Sequence, residues 1–243
     1  MLRQTSIIHN SRFIIQQSLF ILFTCLLLPN FVWAQDIATG LVGHWKFDEV
    51  SGTTAADSSG NNNTGTLTNG PTWTTGKIGG AVNFDGVDDG VDLGTPSSLD
   101  LRSAYTISAW VYSKATPFTG NDQTIYISGT QACCGTETKL VIDNNVAGGT
   151  YKFTVYHSGV IPLLSITAPQ ANTWYHVVVT YDGTIDRLYV STVQEASQAA
   201  SFPTSFGNIA AIGTSIQQNA DFFNGFLDDI RVYNRALSAS DIQ

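Results

Sequence analysis

From Asp36 onward the chain is built of short runs in which apolar and polar residues alternate, separated by clusters of Gly, Asn, Asp and Ser. Leu41, Trp45 and Phe47 fall on one face of LVGHWKF, and TISAWVY and WYHVVVTY repeat the period of two with β-branched and aromatic residues. Successive side chains of a strand point to opposite faces, so this period predicts strands. It places them over 41–47, 81–84, 91–93, 105–112, 124–128, 139–142, 151–157, 174–181, 187–190, 210–213 and 225–233. No stretch keeps a helical period for three turns, and only Ser238 to Ile242 can start one short helical turn. Many short strands with regularly spaced turns imply an all-β sandwich or barrel in a single domain, 35–243.

The last run, FNGFLDDIRVYN, contains a misfit. Period two puts Phe226, Ile230 and Val232 on the core-facing side together with Asp228, and leaves Leu227, Asp229, Arg231 and Tyr233 on the other. A carboxylate in line with a core row costs several kcal/mol unless a partner neutralises it. Asp229, on the other face, is placed to pair with Arg231.

Residues 1–34 read differently. Arg3 and Arg12 precede the apolar run Leu19–Leu28, Pro29 ends it, and Val32-Trp33-Ala34 offers a small residue before Gln35. That is the layout of a secretory signal peptide. The run is shorter than the about 20 residues that span a bilayer, so a retained anchor is the lesser alternative. The expectation is an exported chain, secreted or at the cell surface, with no membrane insertion after cleavage.

Of the 243 residues 43% are hydrophobic and 12% charged, enough for one substantial core, and the net charge is −8. The leader carries Arg3 and Arg12 and no acid, so the exported chain is more acidic still. An acidic chain without a Lys/Arg cluster argues against nucleic acid and anionic lipid. It suits calcium, glycans or proteins. After cleavage the cysteines are the neighbours Cys133 and Cys134. A vicinal disulfide between them is open to an exported protein but strained, because adjacent Cα atoms lie about 3.8 Å apart. A zinc site lacks its remaining ligands.

Five stretches, in order, resemble the laminin-G-like jelly rolls of bacterial secreted proteins, in the concanavalin A-like lectin/glucanase superfamily. They are GLVGHWKFD (40–48), DSSGNNNTG (57–65), VNFDGVDD (82–89), WYHVVVTYDG (174–183) and FNGFLDDIRVYNRALS (223–238). The resemblance implies an antiparallel β-sandwich whose last strand closes beside the first. Such domains often hold a calcium between the acid of the 57–65 loop and the first acid of the closing strand. Those are Asp57 and Asp228 here, with Asn62 and Thr64 as further ligands. Hard, mixed carboxylate and carbonyl oxygens suit calcium better than magnesium. The alternative is that Asp57 caps a turn and Asp228 accepts backbone N–H groups, with no metal. Asp85, Asp88, Asp89 and Asp92 form a second acidic group, without EF-hand spacing. Two departures stand out: Leu188-Tyr189-Val190 runs into Ser191-Thr192 with no glycine, which predicts a longer or bulged hairpin, and the Cys133–Cys134 loop is outside the shared pattern. The pattern runs to the chain's end, as in a domain taken from a longer protein.

Catalytic chemistry finds little support. A retaining glycosidase needs two carboxyls about 5–5.5 Å apart, and Glu49, Glu137 and Glu195 are isolated in the sequence. His44, His157 and His176 sit in strand patterns without evident partners; His176 reads as a core or sheet-face residue. Trp45, Trp110 and Trp174 read as mostly core packing, while Trp73, Tyr126 and Phe118 are loop-tip aromatics that could stack on a sugar. The expectation is a secreted, non-catalytic, lectin-like module with a structural calcium, binding a polysaccharide or glycoconjugate. An adhesion or protein-interaction module is the alternative, and a polysaccharide-degrading enzyme the less favoured one.

Overall fold

The alternating runs form two antiparallel sheets packed face to face. The computed structural model describes residues 36–114, 122–130, 136–143, 150–157, 161–201, 209–215 and 221–243. Residues 1–35, Phe118, Cys133 and Cys134 lie outside these residues, and so do the readings made of them, the expected signal peptide and vicinal disulfide included. Among the described residues no helix is long and apolar enough to cross a membrane.

In chain order the first strands are β1 (Leu41–Trp45), β2 (Thr54–Ala55), β3 (Gly65–Thr68), β4 (Thr72–Thr75), β5 (Gly80–Asp85) and β6 (Gly90–Asp92). Then come β7 (Tyr105–Ser113), β8 (Gln123–Thr130), β9 (Thr136–Asp143), β10 (Lys152–His157) and β11 (Leu163–Leu164). The last are β12 (Trp174–Tyr181), β13 (Ile185–Val190), β14 (Val193–Ala199), β15 (Ala210–Ile212) and β16 (Asn224–Tyr233), followed by α1 (Ala239–Ile242). One sheet runs β14-β13-β12-β7-β16-β5-β4, with β1 also on β16; the other runs β11-β10-β9-β8-β15-β6-β3-β2. The strands that the pattern did not predict are short or polar. TWTT in β4 and VQEASQA in β14 are edge strands with little core face to mark them.

The core lies between the sheets. Ile107, Ala109 and Val111 of β7, Val177 and Val179 of β12, and Leu227, Ile230 and Val232 of β16 meet Leu140, Ile142, Phe153 and Val155 from β9 and β10. A polar contact crosses this core: His157 Nε2 of β10 lies 2.8 Å from Asp186 Oδ2 of β13. The Tyr105 hydroxyl is 2.9 Å from the same nitrogen. His44 also gains a partner, Asp229, at 2.8 Å. The sequence pattern hides both pairs because each joins residues far apart along the chain.

The glycine-free hairpin is tight. Val190 pairs directly with Val193, so Ser191 and Thr192 make a two-residue turn, with φ of +48° and +73°. A two-residue turn with both φ positive matches strand twist, and normally uses Asn-Gly because β-branched residues resist it. The expected irregularity sits further back, as a register shift between Leu188 and Tyr189. At the other end of the chain Ser238 caps α1 through a reciprocal capping box with Asp241. This folds Leu237 and Ile242 onto Val178, Tyr189 and Tyr233, covering one end of the outer face of the first sheet.

Candidate functional site: the outer face of the first sheet

β16 changes partner halfway along one edge. Residues 224–227 pair with β5, while Ile230 to Tyr233 pair with β1. At the handover the register against β7 shifts between Asp228, opposite Trp110, and Arg231, opposite Ser108, and Asp229 adopts φ +46°. This is a β-bulge, two residues against one, and it resets which face each side chain takes. Leu227, Ile230 and Val232 therefore all face the core. Asp228 turns outward with Phe226. The strict period of two gave the opposite assignment for Asp228, Phe226 and Leu227, and the inserted residue is the reason.

Asp228 is nevertheless fully buried, because the turn 76–80 lies over it. Its Oδ2 accepts the Ile78 N–H at 2.8 Å, and the Lys77 N–H also binds the carboxylate. Its Oδ1 is buried without a hydrogen-bond partner. Burial pushes the pKa up to about 6; the two N–H groups oppose that shift, and the charges of Asp229 and Asp48 add to it. Small residues let the turn come this close. A methyl group on Gly76 would meet the Gly80 carbonyl at 2.1 Å and Asp228 Oδ2 at 2.6 Å. One on Gly80 would meet the Phe47 carbonyl at 2.3 Å. Asp48 Oδ1 accepts the Gly80 N–H at 2.8 Å. Asp228 Oδ1 is thus a buried hard oxygen without a hydrogen-bond partner, a donor of the kind calcium takes.

Asp57 serves a different loop. Its Oδ1 accepts from the His44 and Ser59 N–H groups at 2.9 and 2.8 Å, and its Oδ2 from the Ser59 hydroxyl and Asn63 N–H at 2.8 and 2.9 Å. Burial alone would raise its pKa, but these donors together pull it below the ordinary value. Four donors fill the lone-pair positions of the Asp57 carboxylate, which holds its turn. Asn62 and Thr64, the other expected ligands, are exposed. The organiser of this loop is Asn63, which the sequence did not single out: its side chain donates to the Val42 carbonyl at 2.7 Å, and its carbonyl accepts from the Trp45 indole at 2.8 Å. Asp85, Asp88 and Asp89 do bring ligand oxygens within 4.8 Å of one another.

Above the bulge, the outer face of the first sheet carries a row of half-buried rings. Trp110 stacks on His176 with centroids 5.0 Å apart, and Tyr112 stacks on Phe226 at 4.9 Å. Trp174 flanks Tyr112 at 5.3 Å and Phe226 at 6.3 Å. Lys77 stands over Trp110 and Lys114 over Phe226, with Nζ 5.2 and 4.4 Å from the ring centroids. Asn83 and Thr72 continue the row across β5 and β4, joined at 2.9 Å. Trp110 and Trp174 are thus not core residues. The signal was in the sequence: along TISAWVYS, Ser108, Trp110 and Tyr112 share the polar parity, opposite Ile107, Ala109 and Val111. Of the expected loop-tip aromatics, Tyr126 is buried in the core. Trp73 packs 6.4 Å from Phe47 and donates to the Gly52 carbonyl.

Next to the row, Ser108 Oγ lies 2.8 Å from His176 Nε2. Burial lowers the His176 pKa, Asp229 raises it less, and Arg231 lowers it further. Asp229 is already engaged by His44 at 2.8 Å and Arg231 at 2.9 Å, as its predicted pairing with Arg231 requires.

A family model for the concanavalin A-like lectin/glucanases superfamily, of the laminin-G type, matches residues 84–243. The chain belongs to that superfamily. Its two-sheet antiparallel sandwich is the jelly roll of the concanavalin A-like fold. Solved concanavalin A-like relatives share the fold at low identity. Domain 4 of AbnA, a GH43 extracellular arabinanase from Geobacillus stearothermophilus, solved with arabinotriose, matches with a TM-score of 0.63 and 21% identity over 83% of this chain and 96% of that one. The binding domain of Paraclostridial Mosquitocidal Protein 1 matches with a TM-score of 0.61 and 17% identity, over 84% of this chain and 51% of that one. Trypanosoma rangeli sialidase, solved with sialic acid, matches at 0.63 and 17%; this chain covers 84% of itself but only 32% of the sialidase. None of the curated protein sequences matches this member of the superfamily.

Proposed function

We propose that the protein is an exported, non-catalytic glycan-binding module that uses the aromatic row on the outer face of its first sheet. The observation that carries this reading is the cluster Trp110, Tyr112, Trp174 and Phe226, half-buried and adjacent, on a sheet face outside the core. Rings in a fixed row give a sugar apolar contact at small entropic cost, since neighbouring rings already restrain one another. His176, Asn83 and Thr72 supply polar groups at the margin of the row. Fold relatives solved with arabinotriose and with sialic acid support a carbohydrate as the kind of ligand. The non-catalytic reading is supported by the Ser108–His176 contact, whose neighbouring acid Asp229 is committed to His44 and Arg231 instead of orienting the histidine.

A structural calcium fits at Asp228. Bound there, it would neutralise the carboxylate and complete its orphaned Oδ1, tying the closing strand to the turn 76–80 and to Asp48. The signal-peptide-like layout of residues 1–34 supports export.

A glycan array tests the main reading. Binding that is lost in Tyr112→Ala and Trp174→Ala but kept in Trp73→Ala supports it. Failure of the unmodified protein to bind any glycan, together with capture of a protein ligand, would favour the adhesion alternative.

A further inference from the structure

Among the described residues, five of the nine Lys and Arg side chains meet a carboxylate. Arg102, Lys139, Arg187, Arg231 and Arg235 each meet a carboxylate, and Lys152 donates to the Ile166 carbonyl. Lys46, Lys77, Lys114 and Lys152 have no carboxylate partner among the described residues, although acids outnumber cations 19 to 11 in the chain. Two of these four lysines stand over the aromatic row: Lys77 over Trp110 and Lys114 over Phe226. Both are exposed. A ring face holds an ammonium in place but takes none of its N–H donors as a carboxylate would. Lys114 shares one with Asn83 Oδ1. The row therefore presents two positioned, uncompensated positive charges on a protein whose net charge is −8.

We infer that the aromatic row takes an anionic sugar, whose carboxylate or sulfate sits at Lys77 and Lys114 while its ring lies along Trp110, Tyr112 and Phe226. This rests on the glycan-binding reading and narrows its ligand class. A neutral sugar would gain only ordinary hydrogen bonds from these lysines. An anionic one gains two charge-assisted contacts at a surface where the remaining field repels it, so its preference for this face is local. Lysine is a compact point charge and serves carboxylate and sulfate alike, so the two sources are separated by probe rather than by geometry.

The test uses matched polymers with the purified full chain: polygalacturonate against its methyl ester, and dextran sulfate against dextran. The expected result is that an anionic member binds at least about tenfold tighter than its neutral partner. That preference should shrink between 0.05 and 0.5 M salt, as screening predicts, with the Debye length falling from roughly 14 to 4 Å. The responding pair identifies carboxylate or sulfate. Lys77→Gln/Lys114→Gln should lose about tenfold or more of that affinity, while Lys46→Gln/Lys152→Gln, with the same change in net charge, should lose little. Equal binding of charged and neutral partners, equal losses in the two double variants, or no binding to any of the four polymers would each overturn the inference. The glycan-array result with Tyr112→Ala and Trp174→Ala is independent of these lysines, so it separates failure of this step from failure of the reading beneath it.

Discussion

The Ile78 N–H donates to Asp228 Oδ2 at 2.8 Å across 150 residues of sequence, fastening the turn after β4 to the strand that closes the sandwich. The bond holds one carboxylate oxygen while the other has no hydrogen-bond partner. Burial, opposed by the Ile78 and Lys77 N–H groups, leaves the carboxyl with a pKa of about 6, above its unfolded value near 3.8. Between those values the folded state holds the proton more tightly than the unfolded state does. The contribution of Asp228 to stability is therefore greatest at low pH and is lost as pH rises through about 6. In chelator, Asp228→Asn should remove that loss, so the gap in melting temperature between variant and unmodified protein should widen in the variant's favour from pH 4.5 to pH 7. A gap that is constant with pH would contradict the burial argument.

Calcium should reverse this cost. A bound ion stabilises by RT ln(1 + [Ca]/Kd), about 2.7 kcal/mol at a hundredfold excess over Kd. Calorimetry with and without chelator should show that increment in the unmodified protein and in Asp57→Asn, and its loss in Asp228→Asn. Asp57→Asn should instead lower stability by about 1–3 kcal/mol at every calcium level, because donors from Ser59 and Asn63 lose an acceptor. Asp229→Asn should also keep the increment. Equal loss in the Asp57 and Asp228 variants would restore a shared ion between them.

The His157–Asp186 pair is 1% and 0% exposed at its side chains and links the two sheets. Removing Asp186 leaves the buried His157 ring and Tyr105 hydroxyl without their carboxylate partner. Asp186→Ala should cost about 3–5 kcal/mol in urea unfolding. A loss below 1 kcal/mol would mean that the pair is neutral or hydrated in the fold.

Ser191 and Thr192 take the left-handed region without glycine. Left-handed backbone costs an ordinary residue roughly 1–2 kcal/mol. Replacing the pair by Asn-Gly should raise stability by about that amount with no change in ligand binding, read as a shift of the denaturation midpoint at constant slope. A destabilised variant would show that side-chain contacts of the turn outweigh its backbone strain.

Much of the fold was legible in local pattern. Apolar parity along TISAWVYS and WYHVVVTY marks strands whose inner rows form the core, and the five family-like stretches point to the right sandwich. What the pattern could not reveal lies where period two fails or where distant segments meet. One bulged residue at Asp229 reversed the faces of Leu227 and Asp228. Three of the four donors that saturate Asp57 are backbone N–H groups, which carry no sequence signature. The aromatic face was readable from the parity of Trp110 and Tyr112, but the usual burial of tryptophan argued the other way. Lys77 reaches Trp110 from a turn that only the fold brings there.

The central claim, that the aromatic row binds the glycan, is tested most directly by following tryptophan indole N–H signals by NMR during titration with a glycan that the array identifies. Trp110 and Trp174 lie in the row, Trp45 is fully buried with its indole on the Asn63 carbonyl, and Trp73 donates to Gly52 elsewhere. The account predicts saturable shifts of the Trp110 and Trp174 signals with those of Trp45 and Trp73 unmoved. Saturable shifts confined to Trp73, with Trp110 and Trp174 unmoved, would contradict it.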